Sequence, residues 1–222
     1  MIFEKIKSFP NNTELSIAII YKGEIKFVGI KRSRDTIKVW ENHKNVFEIG
    51  SISKVFTSTL LASFILEKRL NLEDAIQDYF DFTIKTNAKI TFKELANHTS
   101  GLPKLPSNLK LFSVDKNNPY KDYDSNKLIE YLKDKIKLKQ KPGTKHEYSN
   151  LGAGILGYIL TKISKSTYEN LLQERVFKKY EMSNSTSIRA KIKAKIVNGL
   201  DQKGNITSNW DFDVLAGGGA IL

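Results

Sequence analysis

The sequence predicts an α+β fold, with an antiparallel sheet at the N-terminus and a mainly helical lobe after it. Three observations carry that expectation. Two β-rich runs, Leu15–Ile20 and Ile25–Ile30, flank the turn "YKGE", and Gly23 supplies the positive φ that a tight hairpin turn needs. From Ser51 the apolar spacing turns helical. From Lys195 to Leu222 the chain returns to turns and short extended pieces, closing on "LAGGGAIL".

In chain order, Val46–Ile49 reads as a short extended piece leading into Gly50 and Ser51. The run "LLASFIL" (60–66) is apolar nearly all round, which predicts a central buried helix. "TFKE" (91–94) is a capping box in which Thr91 and Glu94 satisfy each other's free groups, and Gly101 and Pro103 in "NHTSGLP" stop the short helix it opens. Residues 124–137 place Leu128, Leu132 and Ile136 on one helical stripe before Pro142-Gly143 turns the chain. Residues 151–164 predict an apolar helix despite Gly152, Gly154 and Gly157. Each glycine there costs about 1 kcal/mol relative to alanine, so close approach of a neighbouring helix is the expected compensation. A last helix is predicted over 167–179.

At 222 residues, with 40% apolar and 10% aromatic side chains, the chain is long and apolar enough to bury a sizeable core. No run approaches the length of a transmembrane helix. The start, "MIFEKIKSFPNN", carries charges where a secretory leader needs an apolar stretch, so no signal peptide is visible and the compartment stays open. Without cysteine there are no disulfides and no thiolate metal sites, and three scattered histidines make no metal site, so no cofactor is expected. The net charge of +12 raises nucleic acid as a partner. Against that, only five of the 36 basic residues are arginine, and the lysine runs at 133–145 and 189–199 read as solvated faces. No nucleic-acid partner is expected.

The chemistry resides in short motifs. Ser-x-x-Lys occurs three times, as Ser51/Lys54, Ser107/Lys110 and Ser113/Lys116. A serine hydroxyl is a weak nucleophile until a base takes its proton, and a lysine three residues on lies on the same face of a helix. Only Ser51/Lys54 stands at a predicted helix start, where the positive end of the helix favours an oxyanion. The other two pairs sit in a loop-like, proline-bounded stretch. Taken alone, Ser51 also reads as a plain helix N-cap. A second motif, Tyr148-x-Asn150, lies on the turn before the glycine-containing helix. There a phenol can hold or relay a proton, and an amide can bind a substrate carbonyl or the lysine. Tyr168-x-Asn170 matches the same pattern but lies inside a predicted helix, with Tyr168 expected in the core.

Three segments taken in order, "FEIGSISKVFTSTLLASFILEKRLNLEDAIQDYF", "ITFKELANHTSGLP" and "PGTKHEYSNLGAGILGYILTKISKSTYENLLQERVF", resemble successive landmarks of class C β-lactamase-like serine hydrolases. That family includes penicillin-binding D-Ala-D-Ala carboxypeptidases and related esterases and peptidases. The resemblance implies a β-lactamase/transpeptidase-like fold and hydrolysis of an amide or ester through an acyl-serine. D-Ala-D-Ala-like peptides, β-lactams and small esters are the implied substrates. It places Ser51 as nucleophile, Lys54 as its proton partner, Tyr148 as general base and acid, and Asn150 as a substrate- and lysine-binding amide. His98 falls on a structural loop landmark. The family's usual setting is the cell envelope or outside the cell.

The resemblance also implies a third motif, a Lys-Thr-Gly or His-x-Gly triplet on a strand beside the site, and the sequence contains neither. The chain is therefore expected to be one β-lactamase-like domain, 1–222, cut short at its C-terminus, with a sheet part (1–49) and a mainly helical part (50–222). The sheet would then be incomplete, with an open edge that a second chain could fill. The site would lack an oxyanion donor, a loss of about 10²–10³ in rate. The rival expectation is a module that recognises penicillin or peptidoglycan without catalysis.

Overall fold

The computed structural model describes residues 2–109 and 118–222, which form two compact units, Met1–Glu48 with Ile192–Asn209 and Ile49–Lys191 with Trp210–Leu222. The first unit thus also takes in residues 192–209, which the sequence reading had placed with the helical part.

In the first unit a short helix α1 (Ile2–Ile6) precedes the hairpin of β1 (Glu14–Tyr21) and β2 (Glu24–Ser33), which pair antiparallel with Tyr21 opposite Glu24. Lys22 and Gly23 both take positive φ, the twist that a two-residue hairpin turn requires. A third strand, β3 (Thr36–Val39), pairs with β2 and was not foreseen from the sequence. Its turn is built from Arg34 and Asp35, both at positive φ, where no glycine advertises the bend. Val46 makes only an isolated bridge to Ile196, so the extended piece predicted at 46–49 is not a strand.

Among the described residues β1 has no neighbour on its outer side, and Ile20, Ile25 and Phe27 are each more than half exposed on one face. The sheet accordingly has the open edge expected of it, and apolar side chains exposed on one face. Its interior side is anchored by Glu14, whose buried carboxylate lies 3.0 Å from Lys31 and 3.7 Å from Lys195.

The second unit is helical. Its main helices are α2 (Ser53–Leu66), α3 (Phe92–Ala96), α4 (Ser125–Glu130), α5 (Asn150–Ser164) and α6 (Tyr168–Leu172). Leu60, Leu61 and Phe64 of α2 pack in one core with Leu151, Ile155, Leu156, Ile159 and Leu160 of α5 and with Leu171 and Leu172 of α6. Contrary to the sequence expectation α2 is not buried all round. Val55 and Leu66 are 64% and 83% exposed, because helical spacing turns them away from the face that carries Leu60, Leu61 and Phe64. The capping box at Thr91 and Glu94 is formed in both directions. Asp124 caps α4, whose continuation through Tyr131–Lys135 loosens into a π turn while Tyr131 and Leu132 stay buried.

The glycines of α5 do permit a close approach, but the partner is a glycine-rich turn and not a helix. A methyl on Gly154 would lie 2.5 Å from the Leu215 side chain, and Gly157 faces the Gly217 backbone. Gly217 in turn leaves no room for a Cβ, which would sit 2.5 Å from the Ala153 carbonyl oxygen. These contacts fix the turn Ala216–Gly218 against α5.

Beyond α6 the chain is tied down by one buried carboxylate. Glu169 accepts from the Ser187 backbone N–H (2.7 Å), the Ser187 hydroxyl (2.7 Å), Thr186 (2.8 Å) and Gln173 (3.0 Å), with Lys191 at 3.2 Å. Burial would raise its pKa, but those donors outweigh burial and hold it at about 2, against an ordinary 4.5. A depressed carboxylate contributes stability above the unfolded-state pKa and loses it as pH falls through the folded one. Glu169→Gln is therefore expected to cost about 3 kcal/mol in urea unfolding at pH 7. The gap between variant and wild type should close from about pH 4.5 toward the folded pKa of about 2. An equal gap at pH 7 and pH 3 would refute this account.

Candidate active site

The site lies wholly in the helical unit, on two chain turns and one glycine-rich segment. Gly50 takes φ +51, which lets the chain bend sharply into a 3-10 turn (Gly50–Ile52) that runs straight into α2. Ser51 rides on that turn. It caps nothing: neither the turn nor α2 has a side-chain cap. The hydroxyl is instead engaged by two other groups. Lys54, one turn on, donates to Ser51 Oγ at 3.2 Å. The Tyr148 hydroxyl reaches the same oxygen at 2.6 Å.

Lys54 is held from the far side as well. Its Nζ donates to the Gly218 carbonyl at 2.6 Å and stands 4.8 Å from the centre of the Tyr148 ring. One residue earlier, the Gly217 carbonyl accepts from Thr57 Oγ1 at 2.8 Å, and Thr57 also meets the Tyr168 hydroxyl at 2.8 Å. Ser53 Oγ accepts from the Ile221 backbone N–H at 3.0 Å. The segment "AGGGAIL" is thus laced onto the polar face of α2, which explains why Ser53 and Thr57 are buried there.

Tyr148 is placed by the turn before α5. Ser149 caps that helix through the Gly152 N–H and donates its own hydroxyl to the Pro103 carbonyl at 2.7 Å. The Asn150 N–H donates to the Lys104 carbonyl at 3.0 Å. The loop 98–104 is therefore the template on which the Tyr148 turn is laid. Burial opposes ionisation of the phenol. The hydrogen bonds from Lys54 and Ser51, with the charges of Lys54 and Lys104, outweigh it and bring the Tyr148 pKa below its ordinary value of 10. Asn150 lies near Tyr120, and its buried Oδ1 has no partner among the described residues.

Of the residues predicted for the site, Ser51, Lys54 and Tyr148 meet in one cluster, and Asn150 sits at the head of α5 beside it. Tyr168 is 8% exposed and spends its hydroxyl on Thr57, in keeping with a core role. For the other two Ser-x-x-Lys pairs, Lys110, Ser113 and Lys116 lie outside the described residues. Two contributors were missed from sequence. The Gly218 carbonyl fixes Lys54 from 164 residues away, a main-chain role that no residue type signals. His98 and His146, read as scattered, come together at 5.8 Å between ring centres, and His98 also packs on Tyr148.

A paired serine and lysine at the head of α2, completed by a tyrosine from a second turn, can take a proton from serine and return it to a leaving group. The β-lactamase family pattern matches residues 6–217, and the chain belongs to that family. It is 28% identical over 187 residues to protein flp of Staphylococcus aureus strain MW2, covering 81% of this chain and 36% of that protein. It is 26% identical over 174 residues to a β-lactamase of Escherichia coli K12, covering 77% and 42%. Among solved structures, the β-lactamase/D-alanine carboxypeptidase of Pseudomonas syringae superposes with a TM-score of 0.76 at 23% identity, covering 99% of this chain and 59% of that one. The chain thus has the β-lactamase/transpeptidase fold over about half the length of such structures, and spans about a third of flp.

Proposed function

We propose that Ser51 is the nucleophile of a serine hydrolase acting on an amide or ester through an acyl-serine intermediate. A D-Ala-D-Ala-like peptide, a β-lactam or a small ester is the substrate class. The observation that carries this is the Ser51 hydroxyl, exposed, capping nothing, and held between Lys54 at 3.2 Å and Tyr148 at 2.6 Å. In this reading the Ser51 oxygen attacks the substrate carbonyl carbon while its proton passes to Tyr148. The tetrahedral intermediate then collapses as Tyr148 returns that proton to the leaving amine or alkoxide, leaving the acyl-enzyme. Water, deprotonated by the same phenolate, cleaves the ester and frees Ser51. Lys54 keeps the phenolate form available and orients the serine. Asn150, at the head of α5 beside the cluster, is assigned to bind a substrate N–H or the lysine; its buried carbonyl oxygen has no donor among the described residues. Support for the substrate class comes from relatives described as β-lactamases and as a D-alanine carboxypeptidase.

Because the sequence holds no Lys-Thr-Gly or His-x-Gly triplet, turnover by the 222-residue chain is proposed to be slow, with a further strand, from more chain or from a second copy, needed for full rate. The test is exposure to a fluorophosphonate and to a fluorescent penicillin, followed by peptide mapping. An adduct on the peptide that contains Ser51 is the expected result. Reversible penicillin binding with no adduct, in this chain and in a version extended to its relatives' length, would favour a recognition module instead.

A further inference from the structure

His98 occupies an unusual place for a loop residue. Its φ is +59, a left-handed conformation that is unfavourable for a non-glycine residue, so something must hold it there. Three contacts do. Its carbonyl accepts from the Glu147 N–H at 2.7 Å, its Nδ1 accepts from the Ser149 N–H at 3.2 Å, and its ring lies tilted against the Tyr148 ring at 4.6 Å. These contacts bracket Tyr148, taking the residue before it, the residue after it and the ring itself.

We infer that His98 is a positioning residue that sets the Tyr148 hydroxyl on Ser51 by accepting the Ser149 N–H at Nδ1 and backing the phenol ring. The tautomer follows from the contact: an Nδ1 that accepts a hydrogen bond carries no proton, so the hydrogen of the neutral ring is on Nε2. Protonation would put a second N–H against the Ser149 N–H and push the turn away. Half-burial, the Lys54 charge from α2 and His146 on the turn all disfavour that protonation and lower the His98 pKa below its ordinary value. Lys54 and His146 are the positive or titratable groups that face the ring; Tyr148 against it carries no charge until its own phenol ionises, and the nearby Glu147 carboxylate is paired with Lys139. The contact therefore holds through neutral pH and fails in acid. As the Tyr148 phenol depends on nearness to Lys54 and Ser51 for its lowered pKa, losing His98 should let that pKa climb back toward the ordinary value.

The experiment compares the chain with His98→Asn and His98→Gly. Asparagine tolerates positive φ and can present its Oδ1 where Nδ1 stood, whereas glycine relieves the backbone but offers no acceptor. NMR of 13C-labelled tyrosine, with Tyr148→Phe to assign the signal, reads the Tyr148 titration without any need for activity. The expected result is a higher Tyr148 pKa in His98→Gly and restoration in His98→Asn. In wild type the Ser149 amide and the Tyr148 ring should also shift together as His98 protonates below neutral pH, a transition absent from His98→Asn. Identical Tyr148 titrations in all three proteins, or a Ser149 amide indifferent to His98 protonation, would overturn the inference. Should His98→Gly not fold, the coupled acid shift of the Ser149 amide and Tyr148 ring in wild type, and its absence from His98→Asn, decides it. The kinetic arm rests on the acyl-serine reading: His98→Gly should slow fluorophosphonate labelling about tenfold or more through the rate and not the affinity. If wild type is never labelled while the titrations behave as described, that reading fails and the role of His98 stands.

Discussion

In Ser51→Ala the covalent fluorophosphonate or penicillin adduct is expected to vanish, and in Tyr148→Phe to form about 10²–10⁴-fold more slowly, the usual contribution of a positioned acid–base group. The two variants separate attack from proton transfer. Removing the Ser51 oxygen removes the atom that, in the proposed reaction, forms the new bond. Removing the Tyr148 hydroxyl leaves that atom and Lys54 at 3.2 Å in place, but takes away the group at 2.6 Å that is proposed to receive the proton. The pH dependence distinguishes Tyr148 from Lys54 as the base. Because Lys54 and Ser51 bring the phenol below its ordinary 10, wild-type labelling should rise with pH and level off at a midpoint below 10. The variant should lose that limb. Stopped-flow measurement of labelling across pH 6–10 reads both, with the pH range set about the ordinary phenol value. A Tyr148→Phe rate within a few-fold of wild type, with the limb intact, would move the base role to Lys54.

The second large effect concerns stability and site together. Gly217→Ala would place a methyl 2.5 Å from the Ala153 carbonyl oxygen, backbone against backbone, with no flexible side chain to move aside. Overpacking of that kind costs about 1–3 kcal/mol, or a fall of about 2–12 °C in Tm for a chain of this size. The same shift would draw the Gly217 carbonyl from Thr57 and the Gly218 carbonyl from Lys54, so labelling of Ser51 should slow as well. Gly152→Ala is the contrasting case in the same packed region. Its Cβ meets nothing nearer than 3.4 Å, and alanine is the better helix former by up to about 1 kcal/mol, so its Tm should hold or rise. Calorimetry of the two variants checks the packing account, which does not survive if they melt alike.

Much of the site was legible because its signals are local. Ser51 and Lys54 meet through helical spacing, Gly50 marks the bend before them, and Thr91 with Glu94 announces a helix start through neighbouring groups alone. Tyr148 could be singled out by its place on a turn ahead of an apolar helix, though its distance to Ser51 could not. What escaped was of two kinds. The third strand turns on Arg34 and Asp35, two residues that adopt positive φ without the glycine that would have signalled it. The Gly218 carbonyl and the His98 ring act through geometry set by residues dozens to hundreds of positions away.

The sequence by itself determined the α+β class, the hairpin turn around Gly23 and the capping box of Thr91 and Glu94. Those are properties of short segments, fixed by φ preference, capping and apolar period. Only the tertiary structure decided that the glycines of α5 admit a glycine turn and not a helix, that Lys54 is gripped from behind by Gly218, and that His98 lies under Tyr148. Each of those depends on close packing between segments distant in sequence, where a gap of an ångström decides whether a contact exists and no residue pattern records it.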